Sequence, residues 1–431
     1  MNLKELKQKF QLKELEVFEQ EYSSYSLSYQ ANEIKQTEID NAKGTSIRVI
    51  TNENKPGIST SYGISNTEEL IADSINISKY YQETKISLPK NTIKTEDKSY
   101  IEDTNNIFNI FKKHGDEIIK QIKSHIKSNT ILIDLSFDYS TISEKLSNAN
   151  DLSYSTKSSA SSFSVNLRET EENNFIEIYS SISDLKQPDY NSTIQEVVNF
   201  YNLSKKTTPV TNGKFPIFFT SRATKDLLDI IELALNGKMV NQQSSPWTSK
   251  LNQKVLSEKI SLKQDPTFGM MARQLDDEGV EINPFFLIEN GILRNFYFDL
   301  VTASKSKGFS STGNGFKPSL GSLPEPSLLN FILNEGNKSD EEIIQSVDYG
   351  LIVDQIMGGL TTNISGDLSC NIDLGFLINK GEITGRVKDT MISGNIYNAL
   401  NNVIEISNNS KWYSSSYYNP AILVDGFTIT A

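Results

Sequence analysis

The chain contains little of the side-chain chemistry that forms disulfides or binds catalytic metals. Its 431 residues include one cysteine, Cys370, and two histidines, His114 and His125. A single cysteine excludes an internal disulfide and is typical of a protein from a reducing compartment. A triad of serine, histidine and aspartate could use only these two histidines, which both lie in the N-terminal half. The composition therefore gives no support to that class of hydrolase.

A basic region and a long apolar run are also absent. The 54 acidic and 42 basic side chains give a net charge of −12, whereas nucleic-acid-binding domains usually carry a basic stripe. The pairs Lys112-Lys113 and Lys205-Lys206 lie among acidic residues and indicate solvated surface. No apolar run approaches the ~18 residues that span a bilayer, and the N-terminal segment lacks the apolar core of a signal peptide. We expect no nucleic-acid partner, no membrane association and a cytoplasmic location.

The two histidines belong to one predicted helix. Apolar residues at helical spacing, such as Ile107 and Phe111, predict an amphipathic helix over residues 105–127. His114 and His125 are eleven positions apart on this helix, which corresponds to a rise of roughly 16 Å. Because that distance is too large for both rings to bind one ion, we predict that they are structural helix residues.

The length and the hydrophobic content of 37% predict a globular α+β protein of two or three domains. We expect an N-terminal part in which helices pack on an antiparallel sheet, divided into residues 1–82 and residues 103–207. A β-dominated C-terminal domain is expected over residues 208–431. The polar stretch 83–102 is interpreted as a linker.

Local patterns predict individual elements within these parts. Leu3, Leu6 and Phe10 recur at helical spacing and predict a helix from residue 2 to about 18. Asn66 and Glu69 are spaced like a capping box and mark the start of a second helix. The other predicted elements are the paired strands 44–51 and 57–62 and the helices 66–81, 223–235, 339–347 and 395–402.

The stretch from Met271 to Leu323 has the densest turn chemistry. Two apolar runs flank Asn290-Gly291, a dipeptide that predicts a hairpin because a type I′ turn needs positive φ at both central positions. An acidic turn precedes the hairpin, and a loop rich in serine and glycine follows it. Glycine in such a loop lets the backbone approach another backbone or a ligand closely. The turn consists of Asp276, Asp277, Glu278 and Gly279, and the loop ends in Thr312, Gly313, Asn314 and Gly315.

These turns also carry a family resemblance. The segments DDEGV, IENGILRNF and STGNG resemble those of the TldD/PmbA family, a zinc-dependent peptidase system whose members are also described as modulators of DNA gyrase. Further matching segments follow in the family's order through the C-terminal half, which makes the set more specific than any one motif. They are GLIV from Gly350, MGG from Met357, SGD from Ser365, FLINKGEI from Phe376, ISGN from Ile392 and LVDG from Leu423.

The resemblance implies where a catalytic zinc would lie. In catalytic members a strand leads into a helix with the signature H-E-x-x-x-H, and a cysteine near the C-terminus completes the site. The matching region here, Phe215 to Gly237, has the strand, the helix and the glycine but no histidine. The region that matches the family's cysteine, Tyr413 to Pro420, contains no cysteine.

Where the signature would lie, the chain has Asp229, Ile230, Ile231, Glu232, Leu233 and Ala234, which include two carboxylates and no histidine. Two carboxylates three residues apart do not provide a hydrolytic zinc site, and we interpret them as an exposed polar helix face. Cys370 lies elsewhere on a predicted strand and is interpreted as a buried small apolar residue. We therefore predict no metal, no cofactor and no catalytic residue.

The resemblance is thus to the PmbA, or TldE, branch, whose subunits keep the fold and lack the zinc ligands. It implies a non-catalytic subunit of a metallopeptidase system that processes unfolded or leader-bearing peptides. The partner is a zinc-bearing TldD-like subunit or a second copy of the chain, and whether the chain is itself an enzyme stays open. One alternative is a stand-alone peptide-binding or scaffold homodimer without peptidase activity. Another is an autonomous hydrolase that uses a different metal.

A peptide-binding surface is predicted from the acidic turn, the Thr312–Gly315 loop and Gly358-Gly359. Main-chain groups are common to all substrates, so a site built from backbone suits a protein that handles many peptide sequences. In the alternative interpretation the glycines only serve tight β-turns. The three acids of the turn could likewise bind a cation, orient a peptide amine or accept local backbone N–H bonds.

Overall fold

The structure, a computed structural model, describes residues 2–64, 66–100, 104–171, 174–357 and 363–431. No helix in these ranges is long and apolar enough to cross a membrane. The helices are α1 (Leu3–Lys9), α2 (Thr67–Ser78), α3 (Ile107–His125), α4 (Tyr190–Ser204), α5 (Ser221–Leu235), α6 (Gly237–Asn241), α7 (Leu300–Ser304), α8 (Asp340–Gln345) and α9 (Ile396–Asn401). The strands are β1 (Leu12–Gln30), β2 (Glu33–Thr51), β3 (Pro56–Tyr62), β4 (Ile93–Lys98), β5 (Leu132–Asn148), β6 (Ser153–Glu171), β7 (Asn174–Asp184), β8 (Ile217–Phe219), β9 (Leu262–Gln264), β10 (Phe285–Glu289), β11 (Ile292–Leu293), β12 (Gly315–Phe316), β13 (Glu325–Pro326), β14 (Phe331–Leu333), β15 (Tyr349–Ile356), β16 (Asp367–Asn379), β17 (Glu382–Arg386), β18 (Met391–Asn395), β19 (Val403–Ile406), β20 (Lys411–Tyr413), β21 (Tyr417–Asn419), β22 (Ile422–Val424) and β23 (Thr428–Thr430).

The N-terminal strands form one sheet in the order β3-β2-β1-β5-β6-β4, and β7 also pairs with β6. Neighbouring strands are antiparallel except β4 and β6, which are parallel. Alternate residues of β5, such as Leu135 and Phe137, are buried, because successive side chains of a strand point to opposite faces. Helices α3 and α4 pack on this face through residues such as Phe111 and Val197. The predicted antiparallel sheet with packed helices is confirmed.

Two local predictions in this part are wrong. The helix expected over residues 2–18 ends at Lys9, and β1 begins at Leu12. The chain turns at Gln11, with φ 53°, and β1 then pairs with β2 on one side and β5 on the other. Strand pairing therefore overrides the helical spacing seen in the sequence. The stretch 83–102, expected as a linker, contributes β4 to the sheet.

The other predicted elements are present, with ends shifted by a few residues. Strands β2 and β3 form the predicted hairpin. Asn66 caps α2 by accepting the backbone N–H groups of Glu68 and Glu69. Asn290 and Gly291 turn the chain between β10 and β11 with φ values of 47° and 75°. Helices α5, α8 and α9 match the three helices predicted in the C-terminal part, while α6 and α7 were not predicted.

The C-terminal part is built mainly from strands. One sheet has the order β19-β22-β8-β15-β16-β18-β23 with β17 also paired to β16, a second has the order β11-β10-β9-β14-β21-β20, and β12 pairs with β13. Helix α5 follows β8 directly. Its apolar residues, such as Leu227 and Ile231, are buried in a core that includes Leu262 of the second sheet and Val353 of the first. This packing places the polar side of α5 beside β20 and β21.

Candidate functional site

Helix α5 carries a stripe of charged residues at the position where the resemblance implies a metal motif. Thr220 caps the helix immediately after β8, and its side chain accepts the backbone N–H of Ala223. The predicted succession of strand and helix is therefore present. Residues three or four apart lie on one side of a helix, and five charged residues of α5 have this spacing and are partly buried. They are Arg222, Lys225, Asp226, Asp229 and Glu232.

Asp229 and Glu232 do not form the exposed polar face that the sequence predicted. Lys225 forms an ion pair with Asp229 at 2.6 Å, and its ammonium group lies 5.2 Å from the centre of the Tyr417 ring. The hydroxyl of Tyr417 donates to Glu232. Burial and then the charge of Asp229 raise the pKa of Glu232, although the hydrogen bond from Tyr417 opposes the rise. Burial and the two carboxylates raise the pKa of Tyr417 far above its usual value, so this tyrosine remains a donor.

Arg222, at the start of the helix, connects α5 to β7, α4 and β15. Its guanidinium donates to the carbonyl of Tyr179 at 2.5 Å and to Glu196 at 3.0 Å, and it lies 3.5 Å from Asp354. Lys411 pairs with the second oxygen of Glu196 at 2.7 Å. Burial alone would raise the pKa of Glu196, but the charges of Lys411 and Arg222 outweigh it and hold the pKa below its usual value. Glu196 therefore stays ionised between two cations.

A groove of 290 Å³ opens beside this network. One wall is the end of β7, at the margin of the N-terminal sheet, and the other is β20, the last strand of the second C-terminal sheet. Among the described residues no further strand pairs with either edge. Glu196 and Lys411 line the groove, and Trp412 and Tyr413 provide apolar surface. A smaller cavity, lined in addition by Met270, shares Trp412 and Tyr413 with the groove.

The outer edge of β7 presents main-chain groups to this side. The carbonyls of Phe175 and Tyr179 accept hydrogen bonds from Arg386 and Arg222, which lie outside the sheet. Antiparallel pairing alternates inward and outward along a strand, and the register with β6 runs without a break to Asp184. The N–H and C=O groups of Ser181 and Ser183 therefore also face outward. The groove can hold an extended peptide by backbone hydrogen bonds along this edge.

Asp226 and Cys370 form a less polar part of the same region. Burial, opposed by the charge of Lys225, raises the pKa of Asp226 to about 6. Burial and the charge of Asp226 raise the pKa of the Cys370 thiol to about 12. Cys370 lies on β16, as predicted, but it is only partly buried and packs against the core. Its thiol is therefore neutral at physiological pH.

The three acids of the turn at 276–278 lie inside the protein. Asp276 is fully buried and accepts the backbone N–H groups of Glu278, Val280 and Gly315 at 2.8 to 3.0 Å. Glu278 forms an ion pair with Arg48 of β2 at 2.8 Å. Of the three roles left open by the sequence, acceptance of backbone N–H bonds is the one that the geometry provides for Asp276.

Asp277 is buried in the same turn. Its carboxylate accepts the backbone N–H of Lys317 at 2.9 Å and lies 3.1 Å from Arg273. Gly279 has φ 79°, and a side chain there would meet Leu152 at 2.4 Å. The turn is thus fixed on both sides by close contacts within the protein.

The Thr312–Gly315 loop lies against this turn, since the backbone N–H of Asp277 donates to the carbonyl of Gly315 at 3.0 Å. Asn314 is fully buried. Its amide donates to Gln264 at 2.6 Å and to the carbonyl of Ser327 at 2.7 Å, and its oxygen accepts from Thr312 at 2.7 Å. The structure therefore brings the turn and the loop together, and their side chains bond inward.

Gly313 has φ 73°, and a side chain there would meet the carbonyl oxygen of Glu281 at 2.5 Å. At Gly315 it would meet Glu278 at 2.4 Å. Gly358 and Gly359, the third part of the predicted peptide-binding surface, lie outside the described residues. The assignment of peptide binding to these three turns stays a prediction.

The residues on α5 do not fit the zinc implied by the resemblance. A hydrolytic zinc takes three protein ligands of the histidine, cysteine or carboxylate type. Here Asp229 is paired with Lys225, and Glu232 is bonded to Tyr417. Within the described ranges no group of three or more such side chains is arranged to hold a metal ion. His114, on α3, packs edge-on against Tyr190 with ring centres 5.2 Å apart.

Sequence reasoning missed the residues that complete this site. Arg222 begins the charged stripe of α5, and its spacing to the other charges was visible in the sequence. Glu196, Lys411 and Tyr417 come from α4, β20 and β21, and no local pattern links them to the helix. Only the folded chain shows that Tyr417, from the region matching the family's cysteine, touches α5.

Comparisons with known proteins agree with this architecture. The sequence model of the PmbA/TldA metallopeptidase C-terminal domain matches residues 212–431. The metalloprotease TldD homolog of Buchnera aphidicola subsp. Schizaphis graminum is 31% identical over 213 residues, which are 49% of this chain and 44% of that protein. The metalloprotease PmbA homolog of Buchnera aphidicola subsp. Acyrthosiphon pisum is 28% identical over 194 residues, 44% of this chain and 41% of that protein. The chain thus spans less than half the length of these curated relatives.

Two solved structures share the fold over nearly the whole chain. TldE from Thermococcus kodakarensis superposes with a TM-score of 0.88 and 22% identity, covering 100% of this chain and 99% of that one. A putative modulator of DNA gyrase from Thermotoga maritima superposes with a TM-score of 0.85 and 22% identity, covering 99% and 98%. At this identity the likeness concerns the fold alone.

Proposed function

The chain belongs to the PmbA/TldA metallopeptidase family, and on this premise we propose that it is a non-catalytic, peptide-holding subunit of a TldD/TldE-type metallopeptidase system. In this proposal the chain holds an extended segment of an unfolded or leader-bearing peptide. A zinc-bearing TldD-like subunit supplies the hydrolytic chemistry. The presence of both TldD and PmbA homologs among its relatives supports this proposal.

The groove between β7 and β20 is the observation that carries this proposal. It lies between two strand edges, and the N–H and C=O groups of Ser181 and Ser183 face outward from one of them. A peptide that adds to a strand edge gains affinity from its main chain and tolerates many side chains. That mode of binding suits a protein that acts on unfolded peptides of varied sequence.

The charged network beside the groove supports a positioning role rather than a hydrolytic one. Arg222 and Lys411 keep Glu196 ionised, so its carboxylate is not available as a proton donor near neutral pH. Lys225 pairs with Asp229, and Tyr417 donates to Glu232. These contacts satisfy Asp229 and Glu232 of α5 within the chain. In the proposal they fix α5 and β20 and so hold the two walls of the groove at a constant separation.

A second candidate function is a stand-alone peptide-binding or scaffold homodimer. The same groove favours it, because peptide capture by a strand edge needs no metal. The two functions differ in the partner. The first requires a stable complex with a relative that carries the H-E-x-x-x-H signature, and the second requires self-association in its absence.

Mixing the purified chain with a zinc-bearing relative from the same organism tests the proposal. We expect a stable complex in size-exclusion chromatography at micromolar concentration and hydrolysis of a short unstructured peptide only by that complex. Two separate species at this concentration would contradict the subunit assignment. Self-association of the chain alone, together with peptide binding, would favour the homodimer.

A pair of variants at Ser183 tests the groove itself. Ser183→Pro removes an outward N–H group, and proline is tolerated at a strand edge. We expect peptide binding to weaken about ten-fold, which corresponds to the loss of a main-chain contact of about 1.4 kcal/mol. Ser183→Ala keeps the N–H group and should bind normally. Fluorescence anisotropy of a labelled unstructured peptide gives both affinities, and thermal melting checks that both variants fold. Equal binding by the two variants would rule out this edge as the peptide site.

A further inference from the structure

The outer half of β2 is an open strand edge. Strand β3 pairs with β2 over Gly44–Ile50, and among the described residues no strand lies on that side of residues 33–43. Every residue from Glu33 to Lys43 is exposed, so neither the faces nor the edge of this segment are covered. A long exposed edge presents unpaired N–H and C=O groups that can pair with a strand of another chain.

The direction of these backbone groups follows from the register. The carbonyl of Lys43 accepts the N–H of Gly63 at 2.8 Å, which shows that it faces away from β1. Pairing of β2 with β1 continues without a shift from Gln36 through Lys43. Because inward and outward groups alternate in antiparallel pairing, the N–H and C=O groups of Thr37, Ile39 and Asn41 also face outward.

The charges on this segment disfavour pairing with a second copy in the registers centred on residues 38 to 40. Two identical strands that pair antiparallel about Ile39 place Glu38 of one copy opposite Asp40 of the other, twice. Pairing about Glu38 places Glu38 opposite its own copy, and pairing about Asp40 places Asp40 opposite its own copy. Like charges directly opposite each other are destabilising in a sheet, and the chain as a whole carries a net charge of −12. Opposite charges in those positions are favourable, so the edge is complementary to a basic strand.

We propose that the edge at residues 37–41 receives a β-strand of a different chain that carries lysine or arginine opposite Glu38 and Asp40. The partner is the zinc-bearing relative, so the inference rests on the proposed function for the existence of that partner. Backbone bonds to Thr37, Ile39 and Asn41 set the register. The two acids select against self-pairing and in favour of the basic partner.

Hydrogen exchange on the chain with and without the zinc-bearing relative tests this surface. We expect the amides of Thr37, Ile39 and Asn41 to exchange more slowly in the complex. The amides of Glu38 and Asp40 already face β1 and serve as internal controls, since their exchange should change little. A complex that forms without added protection at the three outward amides would overturn the edge proposal and leave the proposed function standing.

Charge reversal provides the second measurement. The double variant Glu38→Lys/Asp40→Lys changes only exposed residues, and we expect it to weaken the complex at least several-fold. The matched control, Asp73→Lys/Glu83→Lys, makes the same change in net charge at exposed residues of another surface and should bind as the unaltered chain does. Equal weakening by both pairs would contradict a specific edge. Absence of any complex with the unaltered chain would overturn this inference and the subunit assignment together, and protection of the outward amides in the chain alone would assign the edge to a second copy.

Discussion

Arg48 and Glu278 form an ion pair at 2.8 Å although 230 positions separate them in the chain. Both side chains are almost completely buried, and Arg48 also pairs with Glu16 at 2.6 Å. The guanidinium thus ties β1 and β2 of the N-terminal sheet to the acidic turn of the C-terminal part. Lys317, likewise buried, lies 3.7 Å from Glu16 and adds a second cation to this cluster.

Removing the cation at position 48 should therefore be costly. Arg48→Met leaves Glu16 and Glu278 buried without their main partner, and breaking a buried pair in this way costs about 3–5 kcal/mol. The free energy of unfolding from urea titration gives the value. Lys43→Met, on the same strand, removes only an exposed ion pair with Glu21 at 3.8 Å and should change stability by less than about 1 kcal/mol. A small effect at both positions would mean that the buried cluster does not hold the two parts together.

The same cluster makes stability depend on pH. Burial raises the pKa of Glu278 to about 7, although Arg48 opposes the rise. A carboxyl group whose pKa is raised on folding binds more protons in the folded state, so its contribution is complete below the unfolded value and is lost as the pH rises through about 7. Burial and the charge of Glu278 also raise the pKa of Asp276. We therefore expect the free energy of unfolding to fall as the pH rises from 5 to 7.5.

Glu278→Gln should reduce that fall, because the amide cannot lose a proton. Denaturant midpoints of the two proteins at pH 5 and pH 7.5 measure the difference. The variant should resemble the unaltered chain at pH 5, where Glu278 is protonated, and should lose less stability at pH 7.5. Parallel pH profiles for the two proteins would show that Glu278 does not titrate in this range.

Features that depend on neighbouring residues could be predicted from the sequence, whereas features that depend on residues far along the chain could not. The Asn290-Gly291 hairpin and helix α3 depend on residues that are close together in the sequence, and both are present. The acidic turn was recognised as a motif, but its burial depends on Arg48, and the role of Glu232 depends on Tyr417. Such partners lie roughly two hundred positions away, where neither periodicity nor spacing carries information. The helix predicted to residue 18 failed for a related reason, since residues 12–18 of β1 pair with residues 46–51 of β2 and with residues 146–148 of β5.

Asn314 provides a test of the loop beside the acidic turn. If the side chain of Asn314 served only to bind peptide, Asn314→Ala would leave the melting temperature nearly unchanged. The structure predicts the opposite, because the buried amide bonds to Gln264, Thr312 and the carbonyl of Ser327. Leaving such partners unsatisfied costs about 1–3 kcal/mol for each group.

Thermal and urea unfolding of Asn314→Ala measure this loss. The control is Asn371→Ala, which removes an exposed asparagine from β16 and should leave stability within about 0.5 kcal/mol of the unaltered chain. Unchanged stability in Asn314→Ala, combined with weaker peptide capture, would instead support a direct role of the loop in binding. A loss of stability with normal binding by the folded fraction would assign the loop to the scaffold.

The last prediction concerns the metal site. Asp229→His/Leu233→His places two imidazoles four residues apart on α5, which is a spacing suited to one zinc ion. Peptidase activity should not return, because a hydrolytic site needs a third protein ligand, and the neighbouring Tyr417 is bonded to Glu232 rather than free. The change also removes the partner of Lys225 and leaves an unpaired cation at the site.

Zinc content after dialysis, together with hydrolysis of an unstructured peptide, gives the result, with the unaltered chain carried through the same steps. Turnover by the double variant in the absence of any other subunit would show that the region around α5 already contains the missing ligand and that the chain is a latent enzyme.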